Sequence, residues 1–344
     1  MSGVKQVRSE GGMWTFIVPI SGLTLTKDVS QEITVSNVTF VSADKLPRIR
    51  KRLKLPWSLK EIKEQTKDSA FFDGSPAYAI ASFGGIGREK EAEFLTSARD
   101  ELDLLSLSQL VFGCRRRNAC LSISSESRPG SLQYFMANSS KKTWSMQRTK
   151  TGRFMRLQLD EEWVRFQHFS FFYELLDVIN GRTLVSPGWK KDIRNAAILA
   201  GKSQSSPDLA HAFLWNVIAI ETLLAHQGDS YSTALPKRVE SFIGWTTDWS
   251  VGNFGERIEG IYKKRCAFVH AGRSDDLTVK DLIFTDTILV NVFFNILKHI
   301  DIFPKKDALI EFSMKVEAEH ILGVKPRVRP KTISYVDMSY SDED

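Results

Sequence analysis

Apolar residues recur along this chain with two different periods, and the change from one to the other divides it. Between Trp14 and Phe40 the sequence is rich in Val, Ile, Thr and Phe in short alternations, as in Ile33-Thr34-Val35-Ser36-Asn37-Val38-Thr39-Phe40, punctuated by Pro19, Gly22 and Asp28. Period-two alternation with β-branched and aromatic residues between turn formers predicts strands. A helix is predicted over 89–107, where Phe94, Leu95, Ala98, Leu102 and Leu105 stand at core spacing. A second strand-like block covers 109–112, 119–124, 131–136 and 143–147. Beyond 157–160 the period becomes helical, over 161–180, 187–200, 207–227, 235–243, 254–271, 277–300 and 305–320. The fold class is therefore α+β. A β-rich domain runs through residue 155 and an all-helical domain follows over 156–322. A charged tail over 323–344 starts basic at Lys325, Arg327, Arg329 and Lys331, ends in Asp342-Glu343-Asp344, and reads as flexible.

Two of the predicted helices carry a charge inside their apolar stripe. On the first, Glu221 lies four residues after Val217 and three before Leu224; on the second, Arg265 lies four after Ile261 and three before Phe268. Burying either charge alone costs several kcal/mol, whereas pairing makes both tolerable, so Glu221 and Arg265 are expected within reach of each other. In a fully buried pair, removing one partner costs about 3–5 kcal/mol. Ser206 and Pro207 suggest the start of the first helix, and Gly272 the end of the second, which puts His270 on a last turn. Histidine is the side chain best suited to proton transfer near neutral pH. Five residues of regular helix rotate by about 140°, so Arg265 and His270 do not share a face of one helix. Unwinding after Val269, or a second chain, is needed to bring them together.

The frame Tyr262-x-x-Arg265-x-x-x-Val269-His270-x-Gly272, together with Ala219-Ile220-Glu221-Thr222-Leu223-Leu224 upstream, resembles the Arg-x4–6-His signature of the HEPN superfamily, and more closely its ApeA-like domains from prokaryotic defence proteins. The likeness covers roughly the last 140 residues. It implies a helical domain that forms a homodimer, brings two Arg265/His270 pairs together and cuts RNA without a metal or other cofactor. It further implies a role as an anti-phage defence or toxin effector; the β-rich domain is then expected to be a sensor or substrate-recognition domain, with a phage-derived or nucleic-acid trigger as a candidate partner. Many members carry a polar residue after the arginine; here it is Cys266. Glu221 would either pair structurally or orient Arg265, and Lys263, Lys264 and Arg273 are candidates for holding flanking phosphates. The alternative is a non-catalytic interaction protein of the same fold.

Composition changes this picture little. The 344 residues carry a net charge of +6, 42% hydrophobic and 26% charged residues, which suits two globular domains and a polyanion partner. Cys114, Cys120 and Cys266 cannot all pair, and a reducing cytoplasm is the simplest reading. The histidines are scattered without metal-ligand spacing, and no stretch reaches transmembrane length. Lys45, Arg48, Arg50, Lys51, Arg52 and Lys54, with Trp57 beside them, form a cationic run that reads as a solvated edge or loop before it reads as a phosphate track. Gly84-Gly85-Ile86-Gly87 lacks the Lys-Ser/Thr of a phosphate loop and reads as a flexible helix entry, and Arg115-Arg116-Arg117 as solvated turn residues.

Overall fold

The computed structural model describes residues 12–49, 76–85, 87–110, 121–123, 131–138, 143–150, 156–226, 228–244 and 254–325, with single positions 52, 58, 112, 327, 333, 335 and 336. Arg50, Lys51, Lys54, Trp57, the arginines at 115–117 and the acidic chain end lie outside them. The chain separates into two compact units, residues 1–102 with 118–162, and residues 103–117 with 163–344.

In the first unit the expected alternation becomes a five-stranded antiparallel sheet in the order β3-β4-β5-β1-β6. Its strands are β1 (Gly12–Ser21), β3 (Glu32–Val35), β4 (Val38–Ser42), β5 (Ala77–Gly85) and β6 (Ser122–Ile123). β1 pairs along its length with β5, so that Phe16 opposes Ala81 and Ile17 opposes Ile80. The two faces therefore receive different residues. On one, Phe16 and Phe83 meet Phe94 of α1 (Gly87–Leu107). On the other, Ile17, Val41, Tyr78 and Ile80 pack under Leu46 and Ile49 of a 3-10 helix spanning Leu46–Ile49. That short helix occupies part of the cationic run. β2 (Leu23–Leu25) pairs in parallel with β9 (Leu157–Leu159), and β7 (Ser131–Asn138) forms a hairpin with β8 (Thr143–Lys150). Gln109 and Leu110, expected in a strand, instead turn off the end of α1, with Leu110 N–H donating to Leu107 C=O.

The second unit is helical throughout its described residues: α2 (Glu161–Phe169, which begins two residues before the division), α3 (Phe172–Ile179), α4 (Pro187–Ser205), α5 (Leu209–Leu224), α6 (Tyr231–Phe242), α7 (Phe254–Ala271), α8 (Val279–Lys298) and α9 (Lys306–Ile321). The apolar run 161–180 is two helices, because the backbone leaves helical geometry at Phe171, whose φ is −118°. Asp208, not Ser206, caps α5: its carboxylate accepts from His211 N–H at 2.7 Å. A buried polar core fixes α4, α5 and α8 together. Asn216 donates to Thr285 Oγ1 at 2.9 Å and to Asp286 Oδ1 at 2.7 Å, and Gln204 donates to the same Asp286 oxygen at 3.2 Å. Where a free tail is expected, Ile333 is buried, Tyr335 packs edge-on against Phe254, and Val336 exchanges both backbone hydrogen bonds with the Asn291 amide.

Candidate functional site

The site is built at the C-terminal half of α7. Phe254, Ile258, Ile261 and Tyr262 bury the first half of this helix, and none of the residues from Lys263 to Ala271 is buried. The apolar stripe nevertheless continues into that half through Phe268, half-buried, and Val269, 46% exposed. Arg265 sits where the covered part gives way to the open part.

The expected pairing of Arg265 is present. Its Nη2–H donates to Glu221 Oε2 at 3.2 Å, and Nε lies 3.1 Å from Oε1 without the alignment of a hydrogen bond. The side chains are 17% and 11% exposed, so the pair is sheltered but not sealed. Burial pushes the Glu221 carboxyl above its ordinary range, against the Coulombic pull and hydrogen bond of Arg265, which act downward but do not win. The guanidinium also stands 5.7 Å from the centre of the Tyr262 ring.

His270 is exposed on the last turn, as the sequence suggests. The helix stays regular to Ala271 and ends at Gly272, whose φ of +63° is a left-handed conformation; Gly272 N–H donates to Phe268 C=O at 2.9 Å. Unwinding after Val269 therefore does not occur, and Arg265 and His270 stand about 140° apart on one helix. Lys263, seven residues before His270, falls within about 20° of it, on the exposed side. The structure thus brings Arg265 to Glu221, and Lys263 to the face of His270, but does not bring Arg265 and His270 together in one chain.

Lys264 is committed elsewhere. Its Nζ donates to Asp281 Oδ2 at 2.7 Å, and Asp281 also completes a capping box with Thr278 at the start of α8. Burial acts to raise the Asp281 carboxyl, but Lys264 and Thr278 together bring it below its ordinary range. Arg273 is exposed just past the cap, its N–H bonded to Ala267 C=O at 3.3 Å. Cys266 is a half-buried free thiol one turn before His270.

Sequence reasoning passed over one neighbour. His211, on the exposed side of α5, is held by Asp208, whose Oδ1 lies 2.7 Å from the ring Nδ1, and its ring meets Phe268 edge-on at 5.9 Å. The signal was available in a histidine three residues after an N-cap aspartate, but nothing in the linear pattern ties it to Phe268. In the first unit, Glu32, Thr34, Thr39, Arg52 and Ser82 line a polar cleft. There Arg52 binds both Glu32 oxygens, at 3.1 and 2.9 Å, which holds that carboxyl below its ordinary range. Among the described residues no group of three or more His, Cys, Asp or Glu is placed to hold a metal ion, and no helix is long and apolar enough to cross a membrane.

No family model, curated protein or solved structure matches this chain.

Proposed function

We propose that the protein is a metal-independent endoribonuclease of HEPN type, working as a homodimer in the cytoplasm and serving as an anti-phage defence or toxin effector. The observation that carries this reading is the position of Arg265: a permanent cation, held by one carboxylate, at the point where the apolar stripe of α7 runs out into the open, one turn and a half before an exposed histidine. A second copy seated on Phe268 and Val269 covers that stripe, and a two-fold axis there sets the Arg265 of one chain against the His270 of the other.

The chemistry follows from those groups. The 2′-hydroxyl of RNA attacks its own phosphodiester; the new P–O2′ bond forms as the P–O5′ bond breaks, leaving a 2′,3′-cyclic phosphate and a 5′-hydroxyl. One proton leaves O2′ and one reaches O5′; the single His270 of each site takes the first and returns a proton to the leaving oxygen. Arg265 offers its remaining N–H groups to the charge growing on the phosphoryl oxygens. Lys263 and Arg273 are left to hold flanking phosphates. A phage-derived or nucleic-acid trigger would act through the first unit, whose polar cleft suits a small hydrogen-bonding ligand.

The test is RNA cleavage by wild type beside Arg265→Ala and His270→Ala. We expect each substitution to cost on the order of 100-fold or more, with 2′,3′-cyclic phosphate ends in the products. Cleavage that survives both changes would contradict the proposal. The second reading, a non-catalytic interaction protein, is favoured by the Glu221 contact itself, which gives Arg265 a structural partner within the chain. Uncut RNA across activating conditions would select it.

A further inference from the structure

α5 packs chiefly on α4 and α8, with lighter contacts to α6, α7 and α9, yet one line of its residues stays only partly covered. His211, Trp215, Ile218 and Thr222 recur there at three- and four-residue spacing, and each is half-buried or exposed. An otherwise apolar helix is expected to be covered all round, so this open side calls for an explanation. On the α4 border Lys202 Nζ lies 5.7 Å from the centre of the Trp215 ring. Lys191, eleven residues earlier on α4, returns to within about 20° of Lys202, roughly 16 Å along the axis. α4 carries four basic residues, Lys190, Lys191, Arg194 and Lys202, against the single acid Asp192, and Asp192 lies 3.4 Å from Lys306 Nζ. On the other border His211 meets Phe268, which stands one turn from Arg265.

We propose that this side of α5 is a track for single-stranded RNA, on which Trp215 stacks a base, Lys191 and Lys202 take phosphates, and His211 leads the strand toward Arg265. The half-buried indole already attracts an ammonium; a base seated on it frees Lys202 for the backbone. Cations on one border and an aromatic platform between them are what sequence-tolerant single-strand binding requires. Asp208 holds the ring of His211 in place, which keeps that part of the track fixed. His211 and Glu221 are ten residues apart, about 15 Å along the α5 axis, so the track extends over several nucleotides and does not duplicate the Arg265 site. The inference rests on the ribonuclease reading only for the identity of the polyanion as RNA.

The test uses the full chain and a labelled, unstructured 2′-O-methyl oligoribonucleotide, which has no free 2′-hydroxyl and cannot be cut by in-line attack. Binding is followed by anisotropy across a salt series. Trp215→Ala is expected to weaken affinity by roughly 5- to 100-fold, and Trp215→Phe to recover most of that loss. Lys191→Gln and Lys202→Gln should each flatten the log–log salt slope by about 0.7, a change that a merely structural lysine does not produce. Unaltered affinity in folded Trp215→Ala and Trp215→Phe proteins overturns the track, as does wild type that fails to bind. Dimers that dissociate on Trp215→Ala while affinity is kept would also overturn it, by making this face a subunit contact. Wild type that binds in this pattern but never cuts natural RNA supports the track and refutes the nuclease reading; cleavage untouched by all four variants does the reverse.

Discussion

Arg265 and Glu221 form a pair that is sheltered but not sealed. At 17% and 11% exposure the two side chains lose much of their hydration, yet the geometry yields one aligned hydrogen bond. Burial lifts the Glu221 carboxyl above its ordinary 4.5 despite the cation beside it. A folded-state value raised above the unfolded one contributes stability that is present below about 4.5 and lost as pH rises through the raised value. The 3–5 kcal/mol expected for a fully buried pair therefore does not carry over. Glu221→Gln is expected to stay within about 1 kcal/mol of wild type in urea melts at neutral pH, with wild type gaining on the variant as pH falls toward 4.5. If the pair exists to aim Arg265, RNA cleavage falls in the same variant while stability does not. A loss of several kcal/mol at neutral pH would instead mark the pair as structural. Lys264 calls for the opposite expectation. Since it is held by Asp281, Lys264→Ala and Asp281→Ala should each lower stability, by about 0.5–2 kcal/mol for the cap, and Lys264→Ala should leave the salt slope of RNA binding unchanged. The carboxyl of Asp281 is lowered, so its contribution is present above the ordinary 3.8 and lost as pH falls through the folded value. The sequence discloses Glu221 and Arg265 because a charge inside an apolar stripe breaks a period. It is silent on Lys264, whose partner lies 17 residues on, in another helix, with no pattern linking the two.

Among the elements, α7 and α5 were legible because their buried faces repeat every three or four residues, and the sheet because alternation assigns Phe16 and Ile17 to opposite faces. What the pattern does not contain is contact between distant segments. The helix predicted to stop at Gly201 runs on to Ser205, and the glycine has a packing reason instead: a Cβ there would come within 1.8 Å of the Asp103 carbonyl oxygen. The C-terminal end of α1 therefore approaches α4 backbone to backbone, and residues 103–117 count with the helical unit. Gly201→Ala is expected to cost on the order of 3 kcal/mol, since backbone and not a flexible side chain must yield; a denaturation midpoint equal to wild type would rule out the close approach. The docking of Tyr335 on Phe254 and of Val336 on Asn291 was equally illegible, because apolar residues scattered among the charges and prolines of the tail have no period to read.

At the scale of the whole molecule, the regularity of α7 up to Ala271 decides what the site requires. One chain holds Arg265 half-buried and His270 exposed, about 140° apart on the helix, which is why the proposed site draws on two chains. In the proposed dimer, the stripe at Phe268 and Val269 would give the second chain an apolar place to sit, with arginine in the interface core. The most direct test mixes inactive Arg265→Ala protein with inactive His270→Ala protein under conditions that exchange subunits. Heterodimers retain one site with both residues intact, so the mixture should regain RNA cleavage, rising toward about one quarter of the wild-type rate when the two are equimolar and pair at random. A mixture that stays inactive although exchange is demonstrated, or a dilute monomer that cuts at the full rate, would contradict a site shared between two chains.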